Sequence, residues 1–146
     1  MYLQPTDASI QATMARLPRE GGFVMLNLFR LHDKPDYSRH PEMDAGAGAS
    51  SRELFLRYIA EMDVFLRRYG IERMFLGTGG AELIGPEGER WDIVQMVRYP
   101  SLQAFGGLST DQDVMAHVPL REVSVSDSRV MAMVEEPLGA ASLGAH

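Results

Sequence analysis

The glycine-rich segment FLGTGGAELIGPEGERWDIV, from Phe75 to Val94, constrains the fold more than any other part of the chain. Its turn-forming run GPEGER joins two β-prone runs, at about Glu72–Ile84 and Trp91–Tyr99. Glycines ahead of a helix can bind phosphate, but AELIG continues as a strand and lacks the Lys-Ser/Thr pair or third glycine of a nucleotide loop. We therefore predict a strand that bends or bulges at Gly77–Gly80 and turns back as a hairpin, with no ATP or NAD site.

The hydrophobic periodicity on either side of the hairpin predicts the remaining elements. The clearest is an amphipathic helix at 51–69, because Ser50 and Glu53 form a capping box and Gly70 follows its last arginines. The others are an N-terminal helix at about 6–17, a strand at 23–30, a loop at 31–49, short helices at 101–108 and 110–117, and a strand at 128–134. The featureless tail at 137–146 is predicted to be disordered.

The order of these elements predicts an α+β fold of the ferredoxin-like type. Without the extra N-terminal helix the order is strand, helix, strand, strand, helix, strand, which is the βαββαβ pattern. Such a sandwich has a four-stranded antiparallel sheet with its helices on one face. We expect residues 1–136 to form a single domain of this kind, because no repeat or shift in composition marks a second one.

Both faces of the predicted sheet are apolar. In the first strand, FVMLNLFR, alternate positions are equally apolar, and the strand at 91–99 shows the same pattern. Helices that cover one face leave the other bare, so the pattern predicts a homodimer or a bound ligand over the second face. The amides of Asn27 and Gln95 interrupt the strands midway. Because a buried amide without a partner costs about 1–3 kcal/mol, we place both on the open, helix-free face.

The composition disfavours several classes of function. A net charge of −6 argues against a general attraction to nucleic acid or to an anionic membrane. The absence of cysteine excludes disulfides and thiolate nucleophiles, and Lys34, the one lysine, lies in a polar loop unsuited to Schiff-base chemistry. The start of the chain lacks a signal-peptide pattern, and no segment approaches the ~18 apolar residues of a membrane span, so we expect a cytoplasmic location.

The histidines do not form a recognisable metal or catalytic motif. His32, His40, His117 and His146 show none of the spacings of zinc sites, and no serine lies in a nucleophile elbow. His117 is the one histidine in a helical setting that could face a cleft and bind haem. Scattered histidines on surfaces are the more ordinary case, so we expect neither a metal nor a cofactor.

The chain resembles the dimeric α/β-barrel superfamily and, within it, the family called domain of unknown function 1330. The resemblance covers roughly 22–136, and three stretches carry it: VMLNLFR; YGIERMFLGTGGAELIGPEGERWDIVQMVRYPS with Phe105 after it; and REVSVSDSRVMAMV. It implies a ferredoxin-like subunit whose sheet faces that of a second subunit, with a cleft beside the helix-free face. It implies no single reaction, because similar proteins include cofactor-independent monooxygenases, muconolactone isomerase-like proteins and haem-using members.

The best constellation for a small-molecule site comprises Asn27, Arg30, Tyr58, Trp91 and Gln95. The amides would orient a carbonyl or hydroxyl group, Trp91 with Phe29 would form an aromatic wall, and Arg30 would neutralise an anion. His117 and Arg121, four residues apart, could face the same cleft. Each residue also has an ordinary interpretation, since Tyr58 lies on the core stripe of its helix and Arg30 could pair with Asp92 or Glu82.

Two functions therefore remain open at the level of sequence. One is a small enzyme without a nucleotide cofactor that binds or transforms an apolar or aromatic carbonyl compound in a dimer cleft. The other is a non-catalytic domain for ligand binding or for structural interaction, which the lack of a recognisable acid–base pair favours.

Overall fold

A computed structural model describes residues 1–44, 46 and 48–137. The helices and strands are α1 (Asp7–Arg16), β1 (Phe23–Leu31), α2 (Ser51–Arg68), β2 (Glu72–Ala81), β3 (Arg90–Tyr99), α3 (Leu102–Thr110), α4 (Gln112–Met115), α5 (Val118–Ser124) and β4 (Val125–Met133). A single 3-10 turn, Pro41–Met43, interrupts the predicted loop at 31–49. Apart from Pro137, the tail that was predicted to be disordered lies outside the described residues.

The strands form one four-stranded sheet in the order β2-β3-β1-β4, and every neighbouring pair is antiparallel. The predicted ferredoxin-like α+β fold is confirmed. As expected for this topology, β1 and β3 are neighbours at the centre of the sheet, with Asn27 directly opposite Gln95. Among the described residues, no helix combines the length and the apolar character that crossing a bilayer requires.

The N-termini of α2 and α5 show how the local sequence determines where a helix begins. Ser50 caps the helix as predicted, because its side chain accepts a hydrogen bond from the Glu53 backbone N–H at 3.0 Å. The Glu53 carboxylate accepts from the Ser50 hydroxyl at 3.3 Å and not from the Ser50 backbone N–H, so only the first half of the predicted capping box forms. Helix α5 was not predicted, because Pro119 follows the predicted helix at 110–117 and proline usually ends the helix that precedes it. Proline is tolerated in the first turn of a helix, and here it starts a helix that runs directly into β4.

Helix α2 packs on the face of the sheet that carries Asn27 and Gln95. Two apolar clusters fill this layer: Phe23, Met25, Val97 and Tyr99 pack with Met62, Phe65 and Leu66, whereas Phe29 and Ile93 pack with Phe55 and Ile59. Asn27 and Gln95 line a cavity within this layer, so their predicted placement on the helix-free face is wrong. The physical reason is that Gln95 has a buried partner, Arg73, which removes the cost on which that placement rested.

The irregularity of β2 lies at Met74 and not in the glycine run. The register against β3 shifts between Arg73 and Phe75, and this bulge sets which side chains of the edge strand point toward α2. The glycines serve a different purpose. A Cβ on Gly79 would lie 2.3 Å from the carbonyl oxygen of Trp91, so the hairpin strands approach closely at this point.

We expect Gly79→Ala to lower the free energy of unfolding by about 1–3 kcal/mol, because the new methyl group meets backbone that cannot rotate away. Gly80→Ala is the matched control, since a Cβ there has no heavy atom within 4 Å. It should be neutral or stabilise by about 0.4–1 kcal/mol through the unfolded state. Urea unfolding of the two variants checks this, and equal midpoints would contradict it.

Candidate functional site

A cavity of about 120 Å³ lies between the sheet and the helices. It is bounded by side chains from β1, α2, β2, β3, α3 and α5 and therefore forms only when the whole sandwich is assembled. Its apolar wall consists of Phe29, Ile59, Met62, Leu66, Val97 and Leu108. Its polar groups are Asn27, Tyr58, Arg73, Gln95, Tyr99 and Arg121. An apolar cavity with a few convergent polar groups is the usual form of a small-molecule site.

The two central amides provide polar groups on the sheet side of the cavity. Gln95 Oε1 accepts a hydrogen bond from Arg73 Nε at 2.8 Å, and Asn27 Nδ2 donates to the Met25 carbonyl at 3.3 Å. These partners fix both amide orientations, because a guanidinium only donates and a carbonyl only accepts. The remaining groups, Gln95 Nε2 and Asn27 Oδ1, have no hydrogen-bond partner among the described residues. One donor and one acceptor are thus available in mid-sheet.

Arg73 is held by three different elements. Besides Gln95, its guanidinium pairs with Asp63 and donates to the Ile59 carbonyl at 3.1 Å, both on α2. Its side chain is 17% exposed, compared with 44% for that of Asp63. The positive charge of Arg73 is therefore already balanced, and its main effect is to fasten β2 to α2 beside the cavity.

Two phenol groups complete the cavity as neutral donors. Burial raises the pKa of Tyr99 to about 12, and it also raises the pKa of Tyr58, where the positive charges of Arg121 and Arg73 act in the opposite direction. The Tyr99 ring stacks on Phe23, with centroids 5.2 Å apart. Neither hydroxyl has a hydrogen-bond partner within the described part of the chain. Both phenols are therefore protonated near neutral pH and free to donate.

Arg121 contributes the charge that the cavity does not balance. It lies on α5 and is half-buried, with its guanidinium carbon 5.7 Å from the centre of the Phe29 ring. It donates one hydrogen bond, at 3.2 Å, to the backbone carbonyl of Leu3. No carboxylate of residues 1–44, 46 or 48–137 lies within ion-pair distance of it. The cavity thus combines a balanced arginine with an unbalanced one.

The structure brings together half of the predicted site residues. Asn27, Tyr58 and Gln95 line the cavity, but Arg30 lines a separate hollow with His32, Asp33 and Arg90. Trp91 does not line the cavity; its indole donates to Glu89 at 3.3 Å and lies under the Arg129 guanidinium, 5.0 Å from the ring centre.

The last predicted site residue, His117, lies outside the cavity, and some residues that do line the cavity were not predicted. His117 does not line the cavity but pairs through Nδ1 with Glu61 at 3.0 Å and packs against Phe65. Arg121, considered beside it in sequence, does line the cavity, whereas Arg73 and Tyr99 were missed. Tyr99 could have been found from the strand alternation that places it on the face of Gln95. Among the described residues, no group of three or more histidine, aspartate or glutamate side chains could hold a metal ion.

Comparison with known proteins supports the fold but does not identify the activity. No family model and no curated protein sequence matches the chain. A protein of unknown function from Rhodopseudomonas palustris, RPA0582, is 29% identical, and the match covers 92% of this chain and 97% of that one with a TM-score of 0.76. A methylated form of the same protein gives 29% identity, coverage of 94% and 97%, and a TM-score of 0.79.

More distant solved structures show the same fold only. A dimeric protein of unknown function with a ferredoxin-like fold from Bacteroides fragilis is 12% identical, with 79% of this chain and 97% of that chain covered and a TM-score of 0.50. A dabb family protein from Mesorhizobium loti is 17% identical, with coverage of 82% and 100% and a TM-score of 0.50. The neighbours therefore include ferredoxin-like proteins of unknown function, and none of these matches identifies the family of domain of unknown function 1330.

Proposed function

We propose that this protein binds a small carbonyl compound with an apolar or aromatic ring in the cavity between its sheet and helices. The observation that carries the proposal is the set of polar groups without protein partners in a cavity whose lining is about half apolar and half polar. Gln95 Nε2 and the hydroxyls of Tyr58 and Tyr99 can each donate a hydrogen bond, and a carbonyl oxygen of the ligand would accept it. These groups lie in part-buried or buried side chains but are not closed off from solvent, so a bound ligand would replace water as their hydrogen-bond partner.

The size of the cavity limits the ligand to about one ring. A cavity of about 150 Å³ lined by leucine, isoleucine and phenylalanine is known to accept benzene. The cavity here, at about 120 Å³, is smaller but open on one side, so a single ring fits against Phe29, Met62 and Leu108 while its substituent extends toward the opening. We infer that the ring packs on this wall while its carbonyl group points toward the amides and phenols.

The same donors would also support chemistry on a bound carbonyl compound. Donors fixed in a part-buried site stabilise negative charge that develops on a carbonyl oxygen during enolisation or oxygenation. No carboxylate is among the described residues that line the cavity, and Asp63, which lies just behind Arg73, is paired with it. The absence of an evident general base among the lining residues favours the alternative, a binding protein without turnover. No nucleotide cofactor is needed in either case.

Filling the cavity tests this proposal. We expect Met62→Phe to abolish the thermal stabilisation that a ring carbonyl such as benzaldehyde or acetophenone gives the wild type, because the larger ring occupies the ligand space. Val64→Phe, on the exposed side of the same helix, should keep the stabilisation. Product formation in the same samples separates an enzyme from a binding protein. If no ring compound stabilises the wild type, or if both variants respond alike, the cavity is not a ligand site.

We further propose that the protein is a homodimer of the dimeric α/β-barrel type, joined through the helix-free face of the sheet. One row across all four strands on this face is apolar: Phe75, Met96, Leu26 and Met131. The two outer members, Phe75 and Met131, are each 52% exposed in the single subunit. A second copy would bury this row, and the Bacteroides fragilis protein of the same fold is described as dimeric.

A further inference from the structure

We infer that the ligand of the cavity carries a carboxylate, or an equivalent delocalised oxyanion, which pairs with Arg121. This inference rests on the proposed function, since it specifies the charge of the compound that the cavity binds. It comes from a charge imbalance that a neutral carbonyl compound would leave uncorrected.

The charges around the cavity do not cancel. Arg73 is paired with Asp63, so these two residues contribute no net charge. Tyr58 and Tyr99 are neutral, because burial raises the pKa of each phenol. Arg121 remains, and Glu122 beside it in the chain does not line the cavity but pairs with Arg39 at 3.3 Å. The cavity therefore carries one positive charge without a protein counter-ion in the described chain.

The surroundings of Arg121 hold the guanidinium in place without neutralising it. The Leu3 carbonyl takes one N–H group, and the Phe29 ring offers its electron-rich face. The other N–H groups of the Arg121 guanidinium have no hydrogen-bond partner among the described residues. A guanidinium presents these donors in the planar arrangement that a carboxylate accepts through both oxygens.

The polarity of the remaining groups points to the same ligand. The free groups that line the cavity include three that can donate, namely the hydroxyls of Tyr58 and Tyr99 and the amide NH2 of Gln95, beside one that only accepts, Asn27 Oδ1. Tyr99 is 8% exposed as a whole residue, and its hydroxyl has no hydrogen-bond partner among the described residues. An ionised carboxylate only accepts hydrogen bonds, and its two oxygens could satisfy several of these donors together with Arg121. With the ring-sized apolar wall, the chemical class is a small cyclic carboxylate of about the size of benzoate.

Titration calorimetry with benzoate and benzamide tests the inference, because the two compounds share a ring and a carbonyl group but differ in charge. We expect wild type to bind benzoate more tightly than benzamide, with an affinity that falls as salt is added. Arg121→Met should lower the affinity for benzoate roughly 10–100-fold, because a charge-assisted contact is lost. The affinity for benzamide should remain almost unchanged. Arg67→Met, an exposed arginine on α2 outside the cavity, changes the net charge equally and should leave both affinities unchanged.

The outcomes separate this inference from the proposed function. The inference of an anionic ligand is overturned if wild type binds benzoate and benzamide with equal affinity, or if Arg121→Met keeps the affinity for benzoate. Either result still leaves the cavity as a site for carbonyl compounds. Binding of neither these compounds nor the neutral ring carbonyls would overturn both. If Arg121→Met does not fold, Arg121→Lys serves instead. Lysine keeps the charge but cannot contact both carboxylate oxygens as a guanidinium does, so the affinity for benzoate should still fall more than that for benzamide.

Discussion

Replacement of Arg73 by methionine is expected to lower the free energy of unfolding by about 2–4 kcal/mol, the largest loss that we predict for a side chain beside the cavity. The Arg73 side chain is 17% exposed, and its guanidinium joins β2 to α2 through Asp63 and the Ile59 carbonyl. Its removal also leaves the Gln95 carbonyl oxygen, in a side chain that is almost fully buried, without a donor. Chemical denaturation monitored by tryptophan fluorescence measures the loss.

Two further variants establish that the loss comes from the buried network. Arg57→Met removes an exposed arginine that pairs with Glu61 at 3.2 Å on the same helix, and it should change stability by less than about 1 kcal/mol. Arg73→Met combined with Gln95→Leu should recover part of the loss, because removing both partners leaves no unsatisfied buried amide. If the double variant loses as much stability as the two single variants, Arg73→Met and Gln95→Leu, lose together, or more, the hydrogen bond between these side chains is not the source.

The fold could be predicted from the sequence because its signals are local and consistent. The N-cap at Ser50, the amphipathic stripe of α2 and the GPEGER turn are local signals for the elements they mark, and the order of the elements matches one common topology. The error at α5 has an equally local cause. Proline ends a helix that precedes it but also begins one that follows, and a single sequence does not distinguish these positions at Pro119.

The site could be predicted only in part, because it depends on which face of the sheet the helices cover. Alternation correctly groups Asn27 with Phe29, and Gln95 with Val97, but two equally apolar faces do not reveal which of them lies under α2. The deciding residue, Arg73, reaches Gln95 from another strand, and its direction depends on the bulge at Met74. Such a contact depends on register between strands, which a pattern along one strand does not contain.

Introducing charge at both ends of the apolar row should convert the proposed dimer into monomers. We expect the double variant Phe75→Lys, Met131→Lys to weaken self-association by at least about 100-fold, because each lysine would be buried in the interface without a counter-ion. Both side chains are half exposed in the single subunit, so the fold itself should tolerate the change. Sedimentation velocity at micromolar concentration measures the oligomeric state.

The matched control places the same two charges on the opposite side of the subunit. Leu56 and Val64 are also exposed apolar side chains, but they lie on α2, away from the helix-free face of the sheet. Leu56→Lys with Val64→Lys should therefore remain dimeric, with the same net charge as the interface variant. A wild-type protein that sediments as a monomer, or a control that dissociates as readily as the interface variant, would remove the basis for pairing through this face. If the interface variant alone dissociates and still binds ring compounds, the cavity is complete within one subunit.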